Sequence, residues 1–217
     1  MAAEKTVLRY RGQARFFHWT HGAAFVVLLL TGLFLYMPGW GVVAEGGYTR
    51  VIHRAGALLF IGVPVLYAVL FPMGVIKGIV GEALTWGRRD LGWLFAAPGY
   101  YFFGDESKMP PQDRVNAGQK GFFVGVLGLG FVLGVTGGFM WFGKGVISRD
   151  IFMWMTALHA LAGIFIGVLF LVHLYLSVLH PKMTESWGSM VHGKVTPHYA
   201  SSHYAHWYAE EVLGEGE

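Results

Sequence analysis

The sequence contains no cysteine among its 217 residues. That excludes iron–sulfur clusters, thiolate ligation and disulfides within the chain, so any cluster that works with it must belong to a partner. Charge is scarce: 13% of residues are Asp, Glu, Lys or Arg, against about 25% in a soluble domain. No internal repeat is evident, and the length leaves room for one domain and no separate catalytic module. What is present is apolar surface, with 54% hydrophobic residues and a mean hydropathy of +0.49. The net charge of +3 and a pI near 9.1 do not point to nucleic acid. The basic residues stand at the ends of apolar runs, where they set membrane topology.

Four runs are long enough to cross a bilayer. They cover residues 16–37, 51–71, 118–142 and 151–179, and three of them close at Pro38, Pro72 and Pro181. The first has a basic prefix like that of a signal peptide, but it is longer than a signal core and lacks a convincing small-residue cleavage site. The fold expectation is therefore an all-α membrane protein of four transmembrane helices over residues 1–182, followed by a polar, histidine-rich tail over 183–217. Lys5, Arg9, Arg11 and Arg15, the six Lys/Arg between Lys77 and Lys120, and Lys182 and Lys194 fall on one side; Arg50, Arg54, Lys144 and Arg149 fall on the other. Twelve against four places both termini in the cytoplasm. The first half of the connection over 73–117, VIKGIVGEALTWGRRDLGWLF, mixes apolar and basic positions and reads equally well as an interfacial helix or an ordered loop.

His159 and His173 lie in one apolar run, ALHALAGIFIGVLFLVHLYL, fourteen residues apart. Fourteen residues is about four helical turns, so both rings leave nearly the same face with a rise of roughly 21 Å between them. Ionisable groups at membrane depth are costly and mark function. His18 opens the first span and His53 the second. Depth then pairs His53 with His159 and His18 with His173, an arrangement suited to two bis-histidine haems clamped between helices, built for electron transfer. For a single histidine the plainer reading is a hydrogen-bonded polar residue inside the bundle. His21, three residues after His18, is a competing ligand, and His180 reads as an interfacial residue at the membrane exit.

Haem propionates need cationic partners; Arg15 and Arg54 stand beside the proposed ligands, with topology anchoring as the alternative. Gly22, Gly32, Gly56 and Gly163 would make room for porphyrin faces or for helix packing, and the Gly130/Gly134/Gly138 ladder reads as packing. The segment RVNAGQKGFF puts Asn116, Gly118 and Gln119 at the cytoplasmic edge of the third span. Amide groups there suit the carbonyl oxygens of a quinone, while the plainer reading is a helix cap by Asn116 with Lys120 as a topology charge.

The stretches RFFHWTHGAAF, VIHRAGALLFIGV, RVNAGQKGFF and ALHALAGIFIGVLFLVHLY, with the tail MVHGKVTPHYASSHYAHWYAEE, resemble the gamma, or cytochrome b, subunit of membrane-bound formate dehydrogenases. The resemblance covers nearly the whole chain; the connection between the second and third spans and the tail match loosely. It implies a four-helix anchor of the bacterial inner membrane with two haems b, His53 and His159 holding the outer and His18 and His173 the inner. It also implies a quinone, menaquinone or ubiquinone, bound by Asn116, Gly118, Gln119 and His173. The implied partners are an iron–sulfur subunit and a molybdenum or tungsten catalytic subunit, in a complex open to higher oligomerisation. Formate oxidation would belong to those partners. Related anchors of nickel–iron hydrogenases and of thiosulfate or polysulfide reductases share this electron-carrying logic. A rival from another class is a metal transporter using intramembrane and tail histidines; acidic residues, which such transporters usually place in their spans, are essentially missing from the four runs.

Overall fold

The computed structural model describes residues 6–214. Lys5 of the basic prefix and the acidic end at Glu215 and Glu217 lie outside the described residues. A short strand β1 (Val7–Leu8) precedes α1 (Gly12–Tyr36); then come α2 (Gly41–Ala44), α3 (Tyr48–Leu70), α4 (Pro72–Val75), a π-helical stretch (Ile76–Ala83) and α5 (Arg88–Phe103). α6 (Ala117–Phe142) and α7 (Arg149–Leu174) follow, the latter running into a second π-helical stretch (Tyr175–Leu179). The chain ends with α8 (Thr184–His192), strand β2 (Lys194–Val195), α9 (Pro197–His203), α10 (Ala205–Trp207) and a final π-helical turn (Tyr208–Val212).

Four helices are long and apolar enough to cross a membrane: Gly12–Tyr36, Tyr48–Leu70, Ala117–Phe142 and Arg149–Leu179. Proline sets three of their ends, because the residue before a proline is pushed out of the helical region. Met37 (φ −77°, ψ 120°), Phe71 (φ −133°, ψ 55°) and His180 (φ −72°, ψ 125°) each precede a proline and leave the helix there. Pro64 sits inside α3, where it removes one intrahelical hydrogen bond, a loss membrane helices accommodate. The connection after the second span is helical, through α4, the π-helical stretch and α5, so the helix alternative holds over most of it.

Contacts divide the chain into two units. One, the span unit, comprises Phe16–Pro72 and Gly125–His173. Its helices leave most of their apolar side chains uncovered, with no more than 11% of any spanning window buried; an exposed apolar surface of this extent belongs in lipid. Small residues bring the helices together. A Cβ added at Gly56 would lie 3.3 Å from Leu28, at Gly130 3.5 Å from Phe60 and at Gly134 3.6 Å from Ile61.

The other unit, of loops and tail, runs up to Arg15, over Met73–Val124 and from Leu174 onward. It has an interior of its own. Tyr100, Met183, Val195, Tyr199, Ala200, Tyr204 and Trp207 form a buried cluster. β1 and β2 pair antiparallel, Val7 opposite Val195, and stitch the N-terminal segment to the tail. The tail from residue 183, separated from the spans by composition alone in the sequence, is thus part of a packed body with 73–124.

Candidate functional site

The histidine pairs lie within the span unit. The ring centres of His53 on α3 and His159 on α7 are 6.3 Å apart, and those of His18 on α1 and His173 on α7 are 6.2 Å apart. A metal ion held between two facing imidazole nitrogens, each about 2 Å away, sets ring centres about 6 Å apart. Both spacings fit an iron with two axial histidines. They are too long for direct stacking or a ring-to-ring hydrogen bond.

Each ring of the first pair is held from behind. His53 Nδ1 lies 2.8 Å from the Thr31 hydroxyl, and His159 Nδ1 lies 2.9 Å from the Thr136 hydroxyl. Engaging Nδ1 leaves Nε2 as the nitrogen available to a metal, the usual function of such outer contacts. In the second pair, His18 Nδ1 is buried without a hydrogen-bond partner. The second pair therefore lacks, at His18, the outer contact that both rings of the first pair have.

His21 takes another place. Its ring stacks on Phe60 at 4.2 Å and on Phe17 at 5.5 Å. His18 faces His173, and an aromatic sandwich holds its competitor. His180, expected at the membrane interface, is buried at 6% exposure. Its Nδ1 accepts the Lys182 amide at 3.3 Å, and its ring meets Tyr101 and Tyr175 edge-on.

The two arginines named for propionates have protein partners. Arg15 Nη1 donates to the Val191 carbonyl, while its Nε is buried without a partner. Arg54 is exposed and lies over the Trp141 ring, 5.0 Å from its centre. Added Cβ atoms at Gly22 and Gly163 would meet nothing within 4 Å, whereas Gly32 faces His53.

The segment proposed for quinone lies in the unit of loops and tail, except His173, which belongs to the span unit. Asn116 and Gln119 form a reciprocal cap at the start of α6. Asn116 Oδ1 accepts the Gln119 amide at 2.9 Å, and Gln119 Oε1 accepts the Asn116 amide at 3.0 Å. Two orphan donors of the helix start are thereby satisfied. Gln119 Nε2 also donates to the Tyr204 hydroxyl at 3.3 Å. Gly118 is covered by Trp93, whose ring edge would lie 2.6 Å from a Cβ at that position.

Sequence reasoning passed over two further features of this unit. Lys120, taken for a topology charge, is 2% exposed; its Nζ donates to Asp90 Oδ1 at 2.8 Å and to the Thr85 carbonyl at 3.0 Å. Asp90 in turn accepts the Gly87 amide at 2.8 Å, at the start of α5. Arg9 is 3% exposed, lies 3.5 Å over the Tyr204 ring and donates to the Arg114 carbonyl. Nothing in the spacing separates these two cations from the other basic residues near helix ends. Two of the tail histidines are also engaged: His206 meets Asp113 and Glu210 at 2.8 Å each, and His203 stacks on Tyr199 at 4.1 Å.

Comparison with known proteins shows the family of the chain. The model of the family described as prokaryotic cytochrome b561 matches residues 9–193. Among curated relatives, the nitrate-inducible formate dehydrogenase cytochrome b556(Fdn) subunit of Escherichia coli K12 is 26% identical, covering 100% of this chain and 97% of the relative. The formate dehydrogenase cytochrome b556 subunit of Haemophilus influenzae is 27% identical over 97% of this chain and 86% of its own length. The formate dehydrogenase cytochrome b556(fdo) subunit of Escherichia coli K12 is 24% identical over 97% and 95%.

Proposed function

We propose that this chain, which belongs to the prokaryotic cytochrome b561 family, is the membrane-anchor cytochrome b subunit of a formate dehydrogenase complex. It is a multi-pass protein of the bacterial inner membrane, and its family implies haem b. The finer reading is two haems b, one between His53 and His159 and one between His18 and His173. The observation that carries it is the repeated spacing of 6.3 and 6.2 Å between facing imidazoles. Each such group, held by its two histidines, would supply a one-electron carrier.

The chain's own residues do the rest. α7 contributes one ligand to each pair, so a single rigid helix fixes the separation between the two levels. α1 and α3 supply the opposing ligands. Apolar spans keep water from both sites, and water-poor sites favour outer-sphere electron transfer over side reactions with oxygen. Electrons would enter on the outer side, at the His53/His159 level, from the iron–sulfur subunit of a complex with a molybdenum or tungsten catalytic subunit. They would leave to a quinone on the inner side, near His173. Asn116, Gly118 and Gln119 are the chain's candidates for holding that quinone. The Asn116 amide NH2 is the donor their capping arrangement does not use; Gln119 would have to release Tyr204 to offer its own. With both termini cytoplasmic, inward electron flow against cytoplasmic proton uptake separates charge, at about 2.3 kcal/mol per charge per 100 mV.

His159→Ala tests the reading. The purified variant is expected to carry one haem instead of two, with quinone no longer reduced by the donor enzyme. Retention of both haems would overturn the paired-ligand assignment. A metal transporter would show no Soret band at all.

A further inference from the structure

Two Thr-Gly dipeptides occupy corresponding places in the span unit: Thr31-Gly32 on α1 and Thr136-Gly137 on α6. Each faces one member of the His53/His159 pair. Thr31 Oγ1 lies 2.6 Å from the Val27 carbonyl and 2.8 Å from His53 Nδ1. Thr136 Oγ1 lies 2.6 Å from the Val132 carbonyl and 2.9 Å from His159 Nδ1. The following glycine receives the ring edge. A Cβ at Gly32 would lie 3.6 Å from His53 Cε1, and one at Gly137 3.2 Å from His159 Cε1. The same three-part contact thus occurs twice, on two helices, around two histidines of one pair.

The hydrogen-bond polarity follows from the inventory of protons. A backbone carbonyl only accepts, so the threonine's single hydroxyl proton goes to the carbonyl four residues back. The threonine oxygen is then an acceptor towards the ring, and Nδ1 must carry the proton. With the proton fixed on Nδ1, the Nε2 lone pair of each ring is presented to its partner. A back-bonded threonine in a membrane helix ordinarily satisfies only its own hydroxyl; here both such oxygens meet an imidazole.

We infer that Thr31 and Thr136 are positioning residues that fix the Nδ1–H tautomer of His53 and His159 and make both rings more electron-rich ligands. This rests on the paired-ligand reading above. An accepted hydrogen bond at Nδ1–H raises the basicity of Nε2 and favours the oxidised metal.

The test uses the haem-loaded protein with its partner subunits and reads midpoint potentials by spectroelectrochemical titration. Thr31→Val and Thr136→Val keep the shape of the side chain and should keep both haems. Each should raise the potential of one haem only. The expected shift is about threefold in the oxidised-to-reduced ratio at fixed ambient potential, tenfold being 59 mV for a one-electron couple. Thr31→Ser and Thr136→Ser should restore the original value. Unchanged potentials with both haems bound, equal shifts in both haems, or failure of serine to rescue would overturn the proposal. If a valine variant loses one haem, retention in its serine counterpart supports the tautomer lock and loss in both defeats it. His53→Ala separates the two claims: it should remove one haem, and if it does not, the ligand assignment fails and the proposal with it.

Discussion

In the span unit, the groups that matter are four imidazoles and two hydroxyls set among leucines, valines and phenylalanines that face outward. In the unit of loops and tail, the buried residues include phenols, two indoles, a guanidinium and an ammonium–carboxylate pair, and the apolar residues face one another. Tyr204 is fully buried, and Lys120 and Arg9 nearly so. The contrast follows from the solvent each unit is built for. In lipid, hydrophobic burial gives helices no reason to associate, so small residues and a few polar contacts hold them. In water, a packed aromatic interior is the main stabilising term. A polar side chain in the first unit therefore marks a site, whereas in the second it is as often structural.

The strongest way to break this comparison is to exchange the members of a neighbouring pair. His18→Ala should abolish one haem, read as half the haem per protein in the reduced spectrum. His21→Ala should leave both haems bound, since its ring sits between Phe17 and Phe60. Loss of a haem on removing His21, with none on removing His18, would reverse the assignment and show that aromatic stacking does not disqualify a ligand here.

A large effect of another kind is expected at Lys120. Lys120→Met leaves Asp90 charged in a nearly closed interior, and breaking such a pair costs about 3–5 kcal/mol. Lys120→Met/Asp90→Asn removes both charges, keeps an acceptor for the Gly87 amide and should recover most of that loss. Thermal unfolding followed by tryptophan fluorescence measures it, Trp93, Trp187 and Trp207 lying in this unit. Both haems should stay bound in the folded variants. A single variant as stable as the parent would mean that Lys120 is the surface topology charge its position in the sequence suggests.

The two units also differ in what their sequence discloses. The four spans, their proline-set ends and the depth pairing of His18, His53, His159 and His173 follow from periodicity, because few residues other than apolar ones are tolerated at membrane depth. Thr31 and Thr136 escaped notice for the complementary reason: threonine passes in a membrane helix as a self-satisfied residue, and only the ring opposite gives it another role. In the second unit the tail reads as a solvated histidine-rich segment, yet Tyr199, Ala200, Tyr204 and Trp207 are interior residues. Tyr100 and Tyr101, packed with them, lie on another segment, and no local pattern announces a non-local contact. Asn116 and Gln119 fall between these cases. Their spacing announces a cap, and the cap is present; a quinone role is a separate claim on the same amides.

That overlap can be resolved. Asn116→Ala should cost about 1 kcal/mol of local stability through loss of the cap. Gln119→Ala removes the other half of the cap together with the Tyr204 contact. If the amides also hold quinone, quinone reduction should slow severalfold in both variants while both haems remain reducible by the donor enzyme. A stability loss with unchanged quinone kinetics would leave the segment a helix start and nothing more.

The smallest effect concerns acid. His203 stacks on Tyr199, meets the Tyr100 hydroxyl at 3.0 Å through Nε2 and the Ser202 hydroxyl at 2.9 Å through Nδ1. Burial holds its imidazole below the usual value of 6.5, with the Arg9 charge adding to the effect and Glu106 opposing it. The unfolded chain therefore takes up this proton before the folded one does. Stability from this residue is present above about pH 6.5 and is lost as pH falls below it. The unit of loops and tail should thus loosen on mild acidification, seen as faster proteolysis of the tail at pH 5.5 than at pH 8. His203→Gln keeps a polar side chain without the titration and should flatten that dependence. On the paired-ligand reading the span unit would hold its haem spectrum over the same range, because the four ligand imidazoles would be committed to metal at one nitrogen and could not take up the proton until that bond breaks. An equal response in the variant would assign the acid sensitivity to another group, and loss of the haem spectrum in step with the tail would show that the two units do not respond to pH separately.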